Sequence, residues 1–295
     1  LNVDVIYTQQ IADMLLTKNN LLLDVLRLDV MHDVVSGNKW FKLKYYLEDA
    51  AATGFDTIAT FGGAFSNHIV ATAYAARQKG FKSVGIIRGE EAENLSPTLL
   101  FARQLGMRLI FVTREAYQHK KELENTYNQP GWYFVSEGGY GVLGAKGCSE
   151  ILSFASGNYT HIVASVGTGT MLAGLISSAL VNQKIIGISS MKANVELENN
   201  VNKLLINNTA YPAYKLLHNY HFGGYAKHPA ALIAFINMVW KEYQLPLDIV
   251  YTGKLFFAIL DLIKHQYFAE ASKILMIHSG GLQGNKSLAA NRLLF

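Results

Sequence analysis

The chain has a single cysteine, Cys148, in 295 residues, so no intramolecular disulfide can form. A cytoplasmic setting is the expectation that follows. Proline is scarce, at five residues, and no repeat or low-complexity tract occurs, which argues against a fibrous or disordered chain. Charge is also thin. Only 16% of residues are charged, the net is +4, and no basic run is longer than Lys120-Lys121, so a nucleic-acid partner is not expected. The histidines show no metal-ligand spacing and no His-Glu-x-x-His occurs, so no metal is expected. The opening residues lack a charged segment followed by an apolar core, so no secretion signal is expected. Asp, Glu, Lys and Arg are missing between Glu150 and Lys184, a length that reaches across a bilayer. Gly167-Thr168-Gly169-Thr170 interrupts that stretch, however. A buried strand, a glycine turn and a buried helix explain it better, and no membrane partner is expected.

What is abundant is apolar surface: half the residues are hydrophobic, enough for one large α/β domain or two smaller ones. Strand, glycine-rich turn and helix recur. Strands are expected at 57–61, 83–87, 108–112, 161–166, 184–189 and 273–277. Helices are expected at 66–79, 97–105, 172–180, 230–243 and 255–267, the first with Ile69, Ala73 and Ala76 on one face. Such alternation predicts parallel sheets covered on both faces, with ligands at the carboxyl ends of strands. Two domains are expected: 1–46 with 150–295 as the larger, and 47–149 as a smaller insertion.

Several junctions can carry chemistry. In Ser165-Val166-Gly167-Thr168-Gly169-Thr170 the glycines let backbone amides approach an anion at a helix N-terminus, although an ordinary tight turn reads the same way. The pattern is neither a P-loop nor a dinucleotide fingerprint. Gly62-Gly63-Ala64-Phe65-Ser66-Asn67-His68 is either a capped helix start or a carboxylate seat. Lys39 stands in Ser36-Gly37-Asn38-Lys39-Trp40-Phe41-Lys42-Leu43, where aromatic and apolar neighbours suggest a partly buried helix start. A lysine there has its pKa lowered by desolvation, as a Schiff-base amine requires. Tyr251-Thr252-Gly253-Lys254 and His278-Ser279-Gly280-Gly281 each follow an apolar run, and each also reads as a plain turn. Cys148 reads as a buried apolar residue.

Taken in order, these pieces resemble the pyridoxal-phosphate enzymes comprising 1-aminocyclopropane-1-carboxylate deaminase and D-cysteine desulfhydrase. The order is Gly-Asn-Lys, Gly-Gly-x-x-Ser-Asn, Glu137-Gly138-Gly139, the Gly-Thr loop, Gly224-Tyr225, Val-Tyr-x-Gly-Lys and His-x-Gly-Gly, from about Leu26 to Gly284. The resemblance implies the tryptophan-synthase-β fold (fold type II), with pyridoxal 5'-phosphate in a cleft between two α/β domains, and a homodimer. It makes Lys39 the Schiff-base lysine and proton-moving base. Asn67 would face the phenolic oxygen of the cofactor, and Ser66, Asn67 and His68 would seat the substrate carboxylate. Val166, Gly167, Thr168, Gly169 and Thr170, with Lys42, would hold the phosphate, while Tyr225 and Tyr251 would flank a small amino-acid substrate.

Two positions depart from the deaminase pattern. Thr252 stands where that pattern has Glu beside the pyridine nitrogen, and Ser279 stands where it has an apolar residue. A hydroxyl there is expected to meet a largely neutral nitrogen, giving a weaker electron sink than a carboxylate would. The expectation is therefore α,β-elimination from a D-amino acid such as D-cysteine, giving pyruvate, ammonia and the leaving group. A true 1-aminocyclopropane-1-carboxylate deaminase is the alternative, and a catalytically weak pyridoxal-phosphate-binding protein is the reading from another class.

Overall fold

The computed structural model describes residues 2–32, 34, 35, 37–205 and 210–295; Ser36, first in the lysine run, lies outside them. The strands are β1 (Thr8–Ile11), β2 (Leu22–Arg27), β3 (Thr57–Gly63), β4 (Lys82–Arg88), β5 (Arg108–Val112), β6 (Trp132–Val135), β7 (His161–Val166), β8 (Lys184–Ser189), β9 (Tyr214–Leu217) and β10 (Lys273–His278). The helices are α1 (Met14–Lys18), α2 (Asn38–Ala52), α3 (Asn67–Gln78), α4 (Pro97–Gln104), α5 (Lys120–Tyr127), α6 (Val142–Cys148), α7 (Thr170–Ser178), α8 (Leu197–Asn202), α9 (Ala230–Tyr243) and α10 (Thr252–Lys264).

Two sheets result. The larger runs β1-β2-β10-β7-β8-β9 and the smaller β5-β4-β3-β6. The smaller is parallel throughout, as expected. The larger is parallel except at its edge, where β1 pairs antiparallel with β2, so the expectation of purely parallel sheets is corrected there. An antiparallel neighbour needs only a short connection, and α1 supplies it. The central strands are apolar because helices cover both faces: β7 is buried along its whole length, between β10 and β8.

One face of the large sheet packs on α9 and α10, through residues such as Leu232, Ile236, Phe256 and Ile259; the other packs on α7, through Leu172, Leu175 and Ile176. In α3 the stripe Ile69, Ala73 and Ala76 is buried, as its spacing predicts. Helix α2 serves both sheets: Phe41 belongs to the core of the large one, whereas Leu43, Leu47 and Ala50 belong to that of the small one. The domain boundary expected at 46/47 falls inside this helix. The boundary expected at 149/150 falls just after α6, which packs on α2. Among the described residues, no helix is long and apolar enough to cross a membrane, and no cluster of three metal-ligating side chains occurs. The uncharged stretch before Lys184 is β7, a glycine turn and the nine-residue α7.

Candidate active site

The loops leaving the carboxyl ends of β2, β3, β6, β7 and β10 converge. Lys39 and Lys42 occupy the first turns of α2, three residues apart and therefore on one face. Lys42 is buried and donates to the Gly138 carbonyl at 3.1 Å and to the Thr168 hydroxyl at 3.5 Å. This joins the lysine helix to the Glu-Gly-Gly turn and the Gly-Thr loop. Gly138 and Gly139 pack so tightly that a Cβ would sit 2.9 Å from Thr168 Cγ2 in the first case and 3.0 Å from Lys42 Cβ in the second. Thr168 and Thr170 hydroxyls lie 3.0 Å apart at the N-terminus of α7. Gly169 has φ of 92°, a left-handed conformation that favours glycine, and it turns the loop into the helix. Tyr251 stands over Gly167, where a Cβ would be 3.4 Å from the phenol oxygen.

The β10 loop closes the other side. The Ser279 carbonyl accepts from the Asn38 amide at 3.2 Å, and the Gly281 carbonyl accepts from Asn67 Nδ2 at 3.2 Å. The Ser279 and Ser165 hydroxyls are 3.4 Å apart. His278 pairs with the Pro246 carbonyl at 2.6 Å and so ties the end of β10 to the loop before α10. Lys254, wholly buried, donates to the carbonyls of His221 at 2.9 Å and Gly224 at 2.8 Å. It thereby fixes the loop carrying Tyr225, whose ring meets that of Tyr251 edge-on with centroids 6.1 Å apart.

At the N-terminus of α3, Ser66 is the cap and accepts from the Ile69 amide at 3.4 Å. The amides of Asn67 and His68, in the first turn, have no intrahelical carbonyl to bond and are free to hold an anion. The ring of His68 does not join them. Its Nε2 lies 2.9 Å from the Thr60 hydroxyl, which gives its own proton to the Val135 carbonyl at 2.7 Å. Nε2 must therefore carry the imidazole proton. Burial, helped by Lys39 and Lys42, holds the ring neutral by pushing its pKa well down. A neutral ring whose remaining nitrogen is a bare acceptor cannot donate to a carboxylate.

Thr252 also differs from expectation. Its hydroxyl donates to Asp248 Oδ2 at 2.6 Å and accepts from the Asp248 amide at 2.7 Å. With the proton committed, only a lone pair remains, so toward a ligand the group accepts and does not donate. Asp248 was not singled out from the sequence. It is fully buried, and its carboxylate takes the amides of Val250, Tyr251 and Thr252 as well as the Thr252 hydroxyl. The available signal was that of a helix cap, an aspartate just ahead of an apolar helical run.

Lys39 is chemically poised. Its amine donates to Asn38 Oδ1 at 2.8 Å and, among the described residues, forms no ion pair. Burial, reinforced by the charge of Lys42, brings its pKa from 10.5 to about 7. Near neutral pH about half of it is the free amine that attacks a carbonyl. The rate at which the cofactor-free protein captures an aldehyde is expected to rise with pH around a midpoint of about 7 and then level off. A stopped-flow pH series checks this, and a rate still climbing at pH 9 contradicts it. The sign for stability follows. The unfolded lysine keeps its proton up to its ordinary pKa and the folded one does not, so this group adds stability as pH rises from about 7 toward 10.5 and withdraws it as pH falls.

These groups fit an aldehyde-bearing phosphate ester. The Gly-Thr loop and Lys42 can take the phosphate, and Lys39 the aldehyde. The buried Asn67 Oδ1 and His68 Nδ1, both without partners among the described residues, can accept from a polar ligand.

The comparisons point the same way. Residues 25–280 match the family model for pyridoxal-phosphate dependent enzymes. A Pyrococcus abyssi protein named "Putative 1-aminocyclopropane-1-carboxylate deaminase" is 32% identical over 274 residues, spanning 85% of this chain and 81% of its own. A D-cysteine desulfhydrase of Yersinia pestis is 29% identical over 278 residues, spanning 86% and 84%. The crystal structure of a 1-aminocyclopropane-1-carboxylate (ACC) deaminase homologue superposes with a TM-score of 0.79 at 27% identity, over 95% of this chain and 90% of that one.

Proposed function

This chain belongs to the family of pyridoxal-phosphate-dependent enzymes, and from that premise we propose that it catalyses α,β-elimination on a small D-amino acid such as D-cysteine. Pyridoxal phosphate supplies an aldehyde that condenses with amines and a ring that withdraws electrons. On this reading Lys39 holds the cofactor and then takes the α-proton of the substrate. Val166 to Thr170 and Lys42 bind the phosphate, and Asn67 faces the phenolic oxygen. Ser66 and the free amides of Asn67 and His68 seat the carboxylate, with Tyr225 and Tyr251 flanking the substrate. Thr252 and Ser279 stand at the ring nitrogen. A cytoplasmic homodimer completes the reading.

One observation favours elimination over ring opening: the carboxylate nearest Thr252 is one hydroxyl removed and already takes four donors. Asp248 therefore makes Thr252 an acceptor, which suits a partly protonated nitrogen better than the neutral one expected from a bare hydroxyl. Its own charge is spread over the helix cap. The resulting electron sink is intermediate. That is enough to acidify an α-proton next to a good leaving group and short of what opening a cyclopropane without an α-proton demands.

Incubation of the cofactor-loaded protein with D-cysteine is expected to release sulfide, ammonia and pyruvate. Parallel incubation with 1-aminocyclopropane-1-carboxylate is expected to give no 2-oxobutanoate. Formation of 2-oxobutanoate overturns the choice. A Schiff-base band with no turnover of D-cysteine, D-serine or chloro-D-alanine favours a binding protein.

A further inference from the structure

Beside the cleft, at the carboxyl ends of β4, β5 and β6, lies a cavity of about 410 Å³ lined by Arg88, Arg114, Tyr117, Gln118, Lys120 and Glu137. Its volume suits a small ligand or one arm of a larger one. Three cations face one carboxylate. Glu137 pairs with Lys120 at 3.0 Å, while neither arginine forms an ion pair among the described residues. The Tyr117 hydroxyl, in a residue only 4% exposed, makes no geometric hydrogen bond among the described residues, and the Glu137 carboxylate interacts with it from close by. Burial and the Glu137 carboxylate keep that phenol protonated, so it can donate to an acceptor in the cavity. Cations flank its ring, with the Arg88 guanidinium 5.8 Å and the Lys120 amine 4.6 Å from the centroid.

The cavity adjoins the amino-acid site. Arg88 pairs in register with Gly63, and its Nη2 is 3.5 Å from where a Cβ on Gly63 would lie, at the start of the Ser66-Asn67 turn. Glu137 directly precedes Gly138 and Gly139, which pack on Thr168, Lys42 and His68. Arg88 and Glu137 also act electrostatically on Tyr225.

We propose that this cavity is a subsite for a second acidic group on the substrate, so that the preferred amino acid carries a carboxylate or phosphate beyond its β-carbon, held by Arg88, Arg114 and the Tyr117 hydroxyl. Two unpaired guanidiniums and a phenol donor form the fork-like donor set that oxyanions match. A neutral side chain would leave all three unsatisfied, so discrimination arises at this cavity and not at the α-carboxylate seat. The proposal rests on the amino-acid reading of the neighbouring site.

The test is equilibrium binding to the cofactor-loaded protein, read from the change in its absorption band. D-Alanine, D-aspartate and D-glutamate are the probes, since none carries a β leaving group. An acidic probe is expected to half-saturate at a concentration at least about tenfold lower than D-alanine. Arg88→Gln should erase that preference and leave D-alanine within about twofold. Inorganic phosphate should compete with the acidic probe and not with D-alanine. The proposal is overturned if the wild-type protein shows no acidic preference, or if the preference survives in both Arg88→Gln and Arg114→Gln. It is also overturned if phosphate binds at Arg88 without displacing the acidic probe, because the cavity is then a separate anion site. If no amino acid, D-alanine included, perturbs the band, the amino-acid reading itself fails and this one with it.

Discussion

Replacing Lys39 with alanine is expected to abolish the absorption band of the cofactor-loaded protein and to lower turnover on the order of 10³-fold or more. The magnitude follows from a double loss. The amine that attaches the cofactor and the base that moves the substrate proton are removed together. Stability should not fall, because among the described residues Lys39 makes no ion pair, its single hydrogen bond is to its neighbour Asn38, and its desolvated amine costs stability below its ordinary pKa. A desolvated amine contributes little that alanine forfeits, and helix α2 gains propensity. The urea midpoint of the cofactor-free variant near pH 7 should therefore be at least that of the cofactor-free wild type. A band of wild-type intensity in Lys39→Ala would remove Lys39 from its role, and a collapsed midpoint would mean that the lost band reports misfolding.

The second large effect is expected from Gly37→Ala, which touches no reacting atom. Gly37 has φ of 62°, and a Cβ there would overlap the Ser279 carbonyl, the same carbonyl that receives the Asn38 amide at 3.2 Å. The side chain cannot swing aside, because the obstacle is backbone on both sides. Either the β2–α2 turn moves away from β10 or the β10 loop yields. The strain is about 3 kcal/mol from the left-handed conformation and the overlap together. Both adjustments displace Lys39 relative to Ser279, and a displacement near 1 Å at such a site costs about 10²-fold in rate. A lowered urea midpoint together with a weakened cofactor titration is the expected result. Wild-type values for both would show that the close approach is dispensable.

These two positions also show what can be read from a one-dimensional chain. Lys39 and the Gly-Thr loop were legible because residue type and order carry their chemistry. Central strands such as β7 and β8 were legible to the residue, because burial on both faces writes a continuous apolar run. Helix α6 was not. No element was expected around its Gly144 and Gly147, yet they are there because a Cβ would strike the Gly139 carbonyl in one case and the Phe41 carbonyl in the other. Small residues let α6 lie against α2, a pairing visible only once both helices exist. Strands β1 and β9 lie at sheet edges, where half-exposed residues blur the pattern.

At the site, what the sequence leaves open is set by the direction of hydrogen bonds. His68 sits beside Asn67 in sequence, but Thr60 and Val135 determine where its proton points. Thr252 was chosen for its hydroxyl, but Asp248 takes the proton. The Arg88 cavity draws on three loops, and no local motif gathers its members.

The central claim is that the Lys39 amine, and no other, carries the cofactor. Lys42 and Lys254 are the buried competitors, each already bound to carbonyl oxygens. Borohydride reduction of the loaded protein, followed by peptide mass spectrometry, fixes the cofactor to whichever amine holds it. A single pyridoxyl adduct on the peptide bearing Lys39 is the predicted result. An adduct on Lys42 or Lys254, or none at stoichiometric loading, would contradict the account.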